Sequence, residues 1–65
     1  SIRVSNTIEK AERALFKGNH KRAISLYQDA LFDLRRFDIP NPEREIAAEK
    51  IDREISRIKE LQKRS

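Results

Sequence analysis

Few side chains in this chain have the types and spacing that catalysis or metal binding requires. The chain has one histidine, His20, one tyrosine, Tyr27, and no cysteine. A histidine that acts as a general base needs a nucleophile or an orienting acid, and neither stands at a suggestive spacing from His20. One histidine without thiolates also falls short of a zinc ligand set. We therefore expect no enzyme, no metal site and no cofactor, and interpret His20 as a surface imidazole and Tyr27 as a packed ring.

The acidic residues do not indicate acid–base catalysis either. A catalytic carboxyl pair needs one partly buried acid with a raised pKa. The eight acids from Asp33 onward alternate with basic residues at helical spacings or fall in predicted loops. We therefore place these acids on solvent-facing surfaces.

Basic residues outnumber acidic ones, and the net charge is +4. Five of them bracket the predicted second helix and would release counterions if they bound nucleic acid: Lys17, Lys21, Arg22, Arg35 and Arg36. The sequence has no alternation of aromatic and basic residues, no helix-turn-helix signature and no zinc spacing to support such binding. A solvated basic face is the preferred interpretation, and a basic domain that binds nucleic acid stays as an alternative.

The elements that position these residues can be read from one glycine and two prolines. The chain must turn at Gly18-Asn19 and at Pro40-Asn41-Pro42, and the hydrophobic periodicity between these points is helical. We predict helices over about residues 5–17, 20–37 and 42–62. The predicted fold class is all-α, a three-helix antiparallel bundle.

Apolar stripes and capping residues define each predicted helix. Ser5 or Asn6 is expected to cap the first helix, Gly18 to end it, and Asn41 to cap the third. The second helix has an apolar face wide enough for two neighbours. The expected stripes are Val4, Ile8, Ala11 and Leu15; Ala23, Tyr27, Ala30, Leu34 and Phe37; and Ile51, Ile55 and Ile58.

Small residues on the first two helices predict close packing between them. Ala23 and Ala30 lie two turns apart on one face, with Tyr27 between them. Ala11 and Ala14 give the first helix a matching small surface. The two helices are therefore expected to form a tight hairpin that reverses at Gly18.

At these residues the chain resembles one tetratricopeptide (TPR) repeat. The resemblance covers about residues 5–37, and the chain departs from the repeat at Thr7 and Lys10, where the repeat favours an aromatic residue and leucine. Pro40 would match the terminal proline of the repeat only after a longer second helix. The residues that carry the resemblance are Ala11, Gly18, Ala23, Tyr27 and Ala30, supported by Leu15, Ile24 and Leu31.

The chain also resembles the microtubule-interacting and trafficking (MIT) domain, a three-helix relative of the TPR hairpin. Residues 49–61, "EKIDREISRIKEL", are similar to the last helix of that domain. Both resemblances imply a module that holds a peptide or helix of another protein in a groove between helices. This is the preferred function. Two alternative functions remain open: binding of nucleic acid, and a structural role as an oligomerisation module.

The residues expected to line the groove lie on the second and third helices, although each of them could instead be plain core: Ile24, Leu31, Ile51, Ile55 and Ile58. Phe32 points away from Ala23, with Ile39 two turns further along, so this pair is a candidate docking or self-association spot. The opposing interpretation is that Phe32 is covered by another part of the chain or is an ordinary exposed residue.

Length and composition suggest a single helical domain over residues 1–65, taken from a longer protein. No apolar run approaches the roughly 18 residues that cross a bilayer. The lack of cysteine fits a reducing compartment. We therefore expect a cytoplasmic location and no membrane span.

Overall fold

Three α-helices account for most of the fold in the computed structural model, which describes residues 2–64. They are α1 (Ile2–Phe16), α2 (His20–Arg35) and α3 (Pro42–Arg64), and no strand occurs in the described residues. Arg3 at the start of α1 pairs with Asp33 near the end of α2, 3.4 Å apart, so the two helices are antiparallel. The predicted all-α three-helix antiparallel bundle is confirmed.

The turn between α1 and α2 takes only three residues, 17–19. Gly18 has a φ of +80°, a conformation that L side chains rarely adopt. Its N–H donates to the carbonyl of Leu15, and the N–H of Asn19 donates to the carbonyl of Ala14, each at 2.9 Å. This pair of bonds is the Schellman motif, which satisfies carbonyls that the helix end leaves open. The Asn19 side chain then caps α2 by accepting from the N–H of Arg22 at 3.1 Å.

The start of α1 differs from the prediction. The helix begins at Ile2, so Ser5 and Asn6 lie inside it and the prediction that one of them is the cap was wrong. The Thr7 hydroxyl donates to the carbonyl of Arg3 at 3.0 Å, and the Arg3 guanidinium reaches Asp33 on α2. The ion pair between Arg3 and Asp33 helps to hold the first turn of α1 against α2. Capping signals in the local sequence do not indicate such a contact.

The end of α2 also differs from the prediction. The helix ends at Arg35, and Phe37 lies exposed in the following loop, so the prediction that it continues the buried stripe was wrong. The Phe37 ring lies between two guanidinium groups, with Arg36 at 4.9 Å and Arg44 at 5.9 Å from its centroid. Pro40 restricts the residue before it to extended conformations, and the chain leaves the helix before reaching it.

The loop ends at a well-formed cap for α3. The Asn41 side chain accepts from the N–H of Arg44 at 3.1 Å, which confirms the predicted cap. The Arg35 guanidinium donates to Glu45 at 2.8 Å and to Asp52 at 3.0 Å, and so joins the end of α2 to the start of α3. The third helix continues to Arg64, two residues beyond its predicted end.

The core lies along α2, which is the middle helix. The predicted alanine contact is confirmed, because Ala11 and Ala14 on α1 and Ala23 and Ala30 on α2 are all buried. From the other side α3 contributes its isoleucines, and Tyr27 belongs to the same cluster. Both outer helices pack on α2, but no Cα atom of α1 lies within 8 Å of one in α3.

Truncation of Ile55 tests whether α3 is held by this core. Ile55 is 8% exposed, so Ile55→Ala should lower the free energy of unfolding by about 2–5 kcal/mol. That loss is large for a domain of this size, so Ile55→Val, with an expected loss of about 0.5–1.5 kcal/mol, keeps the measurement in range. Urea unfolding followed by circular dichroism gives both values. Ile46→Ala, at an exposed isoleucine of the same helix, is the matched control. Equal losses for Ile55→Ala and Ile46→Ala would contradict this core.

Candidate functional site

An open furrow runs between α1 and α3, with α2 as its floor. It encloses a volume of about 450 Å³. It forms because both outer helices pack on α2 while their own backbones stay apart. Its lining comes from all three helices: Ile8 and Glu12 on α1, Tyr27 on α2, and Ala47, Lys50, Ile51 and Glu54 on α3.

The spacing of the lining residues follows the helical repeat. Ile8 and Glu12 are four residues apart, so they lie one turn from each other on the same side of α1. On α3, Ala47, Ile51 and Glu54 follow at four and three residues, which places them in one row. Half-buried and buried apolar side chains therefore form the inner part of the furrow, and charged residues lie along its edges.

Tyr27 brings the one uncharged polar group to this furrow. The residue as a whole is only 5% exposed. Its hydroxyl makes no hydrogen bond within the described part of the chain. In that part, every buried side-chain oxygen has a hydrogen-bond partner, so the unpaired Tyr27 hydroxyl must be exposed to solvent. Burial, followed by the nearby carboxylates of Glu54 and Glu12, raises the pKa of Tyr27, while Arg57 opposes the shift. The hydroxyl is therefore neutral and available to a bound partner.

Of the two acids that line the furrow, Glu54 is held in an ion pair within residues 2–64 and Glu12 is not. Arg57 holds Glu54 through two hydrogen bonds, from Nε to Oε1 at 2.8 Å and from a terminal nitrogen to Oε2 at 2.7 Å. These bonds lower the pKa of Glu54 and raise the pKa of Arg57. Glu12, on the opposite wall, forms no ion pair with any residue in the range 2–64. Glu12 is therefore the carboxylate that a basic group of a partner would meet.

Of the residues predicted to line a groove, Ile51 alone borders this furrow. Ile51, Ile55 and Ile58 are 5%, 8% and 0% exposed, so all three belong to the core, and Ile51 also borders the furrow. Ile24 and Leu31 are half-buried and pack against the same core. A groove lined by the predicted residues of α2 and α3 stays a prediction, and the furrow between α1 and α3 is a second candidate. Contact of a partner with Ile24 or Leu31 stays a prediction.

The remaining candidates lie away from the furrow. Phe32 and Ile39 are exposed, and Phe32 borders a separate depression with Arg3 and Asp29. Self-association through them stays a prediction. His20 is the first residue of α2, and its side chain makes no hydrogen bond or ion pair with the described residues.

Sequence reasoning missed most of the furrow. Ile8 was correctly assigned to a core stripe, against which it packs, but its position beside the furrow was not predicted, and Glu12, Ala47 and Lys50 had no predicted role there. One signal was available, since the wide apolar face of α2 predicts two neighbours. Two helices on one central helix leave a gap wherever they fail to meet, and that gap is the furrow.

Two kinds of site are absent from the described residues. In residues 2–64, no three His, Asp or Glu side chains are grouped so as to hold a metal ion. Over the same range, no helix combines the length and apolar character needed to cross a bilayer.

Because the chain has a single tyrosine, the environment of Tyr27 can be measured directly. Titration followed by phenolate absorbance should give a midpoint above the ordinary value of 10.0 in the folded chain. The raised pKa means that folding favours the neutral phenol. The corresponding stability is complete below the unfolded pKa and is lost as pH rises through the folded pKa. As the pH rises from the unfolded pKa through the folded pKa, the free energy of unfolding should therefore fall less for Tyr27→Phe than for the wild type.

The same titration in denaturant is the control and should return the ordinary value. A midpoint at or below 10.0 in the folded chain would contradict the buried placement of the ring.

Comparisons of the chain with protein-family models, with curated proteins and with solved structures found no match. The furrow is therefore the feature from which a function can be proposed: its floor is apolar with one free hydroxyl, and its edge has one carboxylate without an ion pair.

Proposed function

We propose that this chain is a protein–protein interaction module that holds a helical or extended segment of another protein in the furrow between α1 and α3. The observation that carries the proposal is an open, largely apolar furrow whose floor bears the free hydroxyl of Tyr27. Peptide-binding grooves of helical domains combine these features, with apolar contacts for affinity and a few polar groups for orientation.

The arrangement of the furrow favours a narrow ligand. Its apolar residues, Ile8, Ala47 and Ile51, lie inside a polar rim that includes Glu12 and Lys50. An apolar centre with a polar rim is the usual anatomy of a protein interface. A volume of about 450 Å³ accommodates a few apolar side chains of one helix face or one extended strand, and not a folded domain. A basic residue on that segment would pair with Glu12.

The TPR-like and MIT-like resemblances belong to this proposal. A hairpin joined through buried alanines is consistent with a TPR-like origin, and a third helix packed on α2 is consistent with an MIT-like one. Both families imply peptide binding between helices. The proposal retains the cytoplasmic location expected from the composition, and it includes no catalytic role.

Ala47 allows the furrow to be blocked without removing any core side chain. Arginine is nearly as good a helix former as alanine, so Ala47→Arg should leave α3 folded while its long side chain occupies the furrow. Peptides selected from a displayed helical library against the wild-type chain serve as the probe. We expect Ala47→Arg to weaken their binding by at least about tenfold, which corresponds to 1.4 kcal/mol, in isothermal titration calorimetry.

Ile46→Arg is the matched control, because it introduces the same side chain at an exposed position one residue away. This variant should bind the selected peptides as the wild type does. Peptides that bind Ala47→Arg and the wild type equally well would contradict the assignment of the furrow.

A further inference from the structure

The net charge of the chain is concentrated around the turn between α1 and α2. Residues 10–22 contain five basic side chains and one acidic one, a net of +4, which equals the net charge of the whole chain. The acid is Glu12, which faces the furrow. Outside residues 10–22 the chain has equal numbers of basic and acidic residues. This short segment therefore accounts for the whole excess of positive charge.

Four of these cations meet at one depression of about 250 Å³. Lys10, Arg13 and Lys17 follow each other at three and four residues on α1, which places them on one stripe, and Arg22 faces them from α2. Asn19 and Ala14 complete the lining, and no acidic residue takes part. We name this set of Lys10, Arg13, Lys17 and Arg22 the basic cluster.

No member of the basic cluster is paired with an acid in residues 2–64. Elsewhere in the described chain, Arg3, Arg35 and Arg57 form ion pairs that connect or stiffen helices. Like charges one turn apart repel each other and destabilise a helix. Within residues 2–64 the cluster thus contributes no ion pair to the fold, and its cations remain available to an external anion.

An exposed aromatic side chain lies beside the basic cluster. Phe16 is the last residue of α1, directly before Lys17, and it is 92% exposed. The last turn of α3 ends at the same end of the bundle, because α3 is antiparallel to α2, and residues 59–64 add three basic side chains against one acidic one. One end of the molecule thus combines positive charge with a solvent-facing phenyl ring.

We propose that this end docks on the surface of an anionic phospholipid bilayer. Headgroup phosphates would be held by the basic cluster, and the Phe16 ring would enter the boundary between headgroups and acyl chains. Each basic residue near an acidic membrane adds to the attraction, and an aromatic ring at the interface adds apolar burial. A nucleic acid backbone would match the cations, but a compact basic end does not provide an extended track along a strand.

Docking at this end would leave the furrow open. The furrow is bordered by Ile8 and Glu12 on α1, whereas the cluster residues of α1 lie on the opposite side of that helix. Membrane docking is therefore a property beyond the proposed peptide binding, and the two can be tested separately.

The test is co-sedimentation of the full chain with phosphatidylcholine vesicles, with and without about one third phosphatidylserine. We expect sedimentation with the acidic vesicles alone, and weaker sedimentation when the salt is raised. Lys10→Glu/Lys17→Glu should lower the ratio of bound to free chain by at least about tenfold. Phe16→Ser keeps the charge and should lower the same ratio by about threefold or more.

Arg44→Glu/Arg53→Glu is the matched control, because it makes the same change in net charge at exposed positions of α3 that border neither the cluster nor the furrow. It should keep most of the binding. Circular dichroism checks that each variant is folded. If Lys10→Glu/Lys17→Glu unfolds, the charge-neutralising variant Lys10→Gln/Lys17→Gln takes its place.

Three results would overturn the proposal: no binding to acidic vesicles, equal loss in the cluster and control variants, or no effect of Phe16→Ser. Labelled duplex DNA and single-stranded RNA form a parallel arm. Tighter binding to either of them than to acidic vesicles would overturn it in favour of nucleic acid.

Discussion

The close approach of α1 and α2 through alanines is the constraint on which the rest of the structure depends. Ala11 and Ala14 face Ala23 and Ala30, and all four are buried. Side chains this small let two helices come near the short end of the usual range of about 8–10 Å. With α1 seated on one flank of α2, the other flank is left for α3. The furrow is the space that remains where the two outer helices fail to meet.

This arrangement uses few large side chains for the interior and leaves several on the surface. The fully buried positions are mostly alanines, and Ile58 is the one large side chain among them in the described residues. Phe16 and Phe32 meanwhile lie exposed. Arg35 adds a polar connection between α2 and α3 through its bonds to Glu45 and Asp52.

What the sequence predicted correctly depends on local chemistry. The turn at Gly18 needs a residue without a Cβ, the cap at Asn41 needs a short side-chain acceptor, and the buried alanines repeat at helical spacing. Each of these can be recognised within a few residues. The start of α1 and the end of α2 were not predicted to the residue, because Ser5 and Asn6 resemble caps but lie inside α1, and the apolar spacing continues to Phe37 although α2 ends at Arg35.

The site was predicted less well for a related reason. Periodicity identifies which face of a helix is apolar, but it does not say whether a neighbour covers that face. Ile51, Ile55 and Ile58 belong to one stripe and all three are buried, yet Ile51 alone of them also borders the furrow. Tyr27 was correctly predicted as a packed ring. Its hydroxyl faces solvent because the ring borders the furrow between α1 and α3, which only the three-dimensional structure reveals.

The open furrow above an alanine-packed hairpin can be tested most directly by NMR with a soluble paramagnetic agent, which broadens the methyl signals that solvent reaches. The account predicts marked broadening for Ala47 and Ile8 in the furrow, and protection for Ala11, Ala23 and Ile58 in the core. Protection of Ala47 and Ile8 equal to that of Ala23 would mean that α1 and α3 close over α2, and would contradict the account.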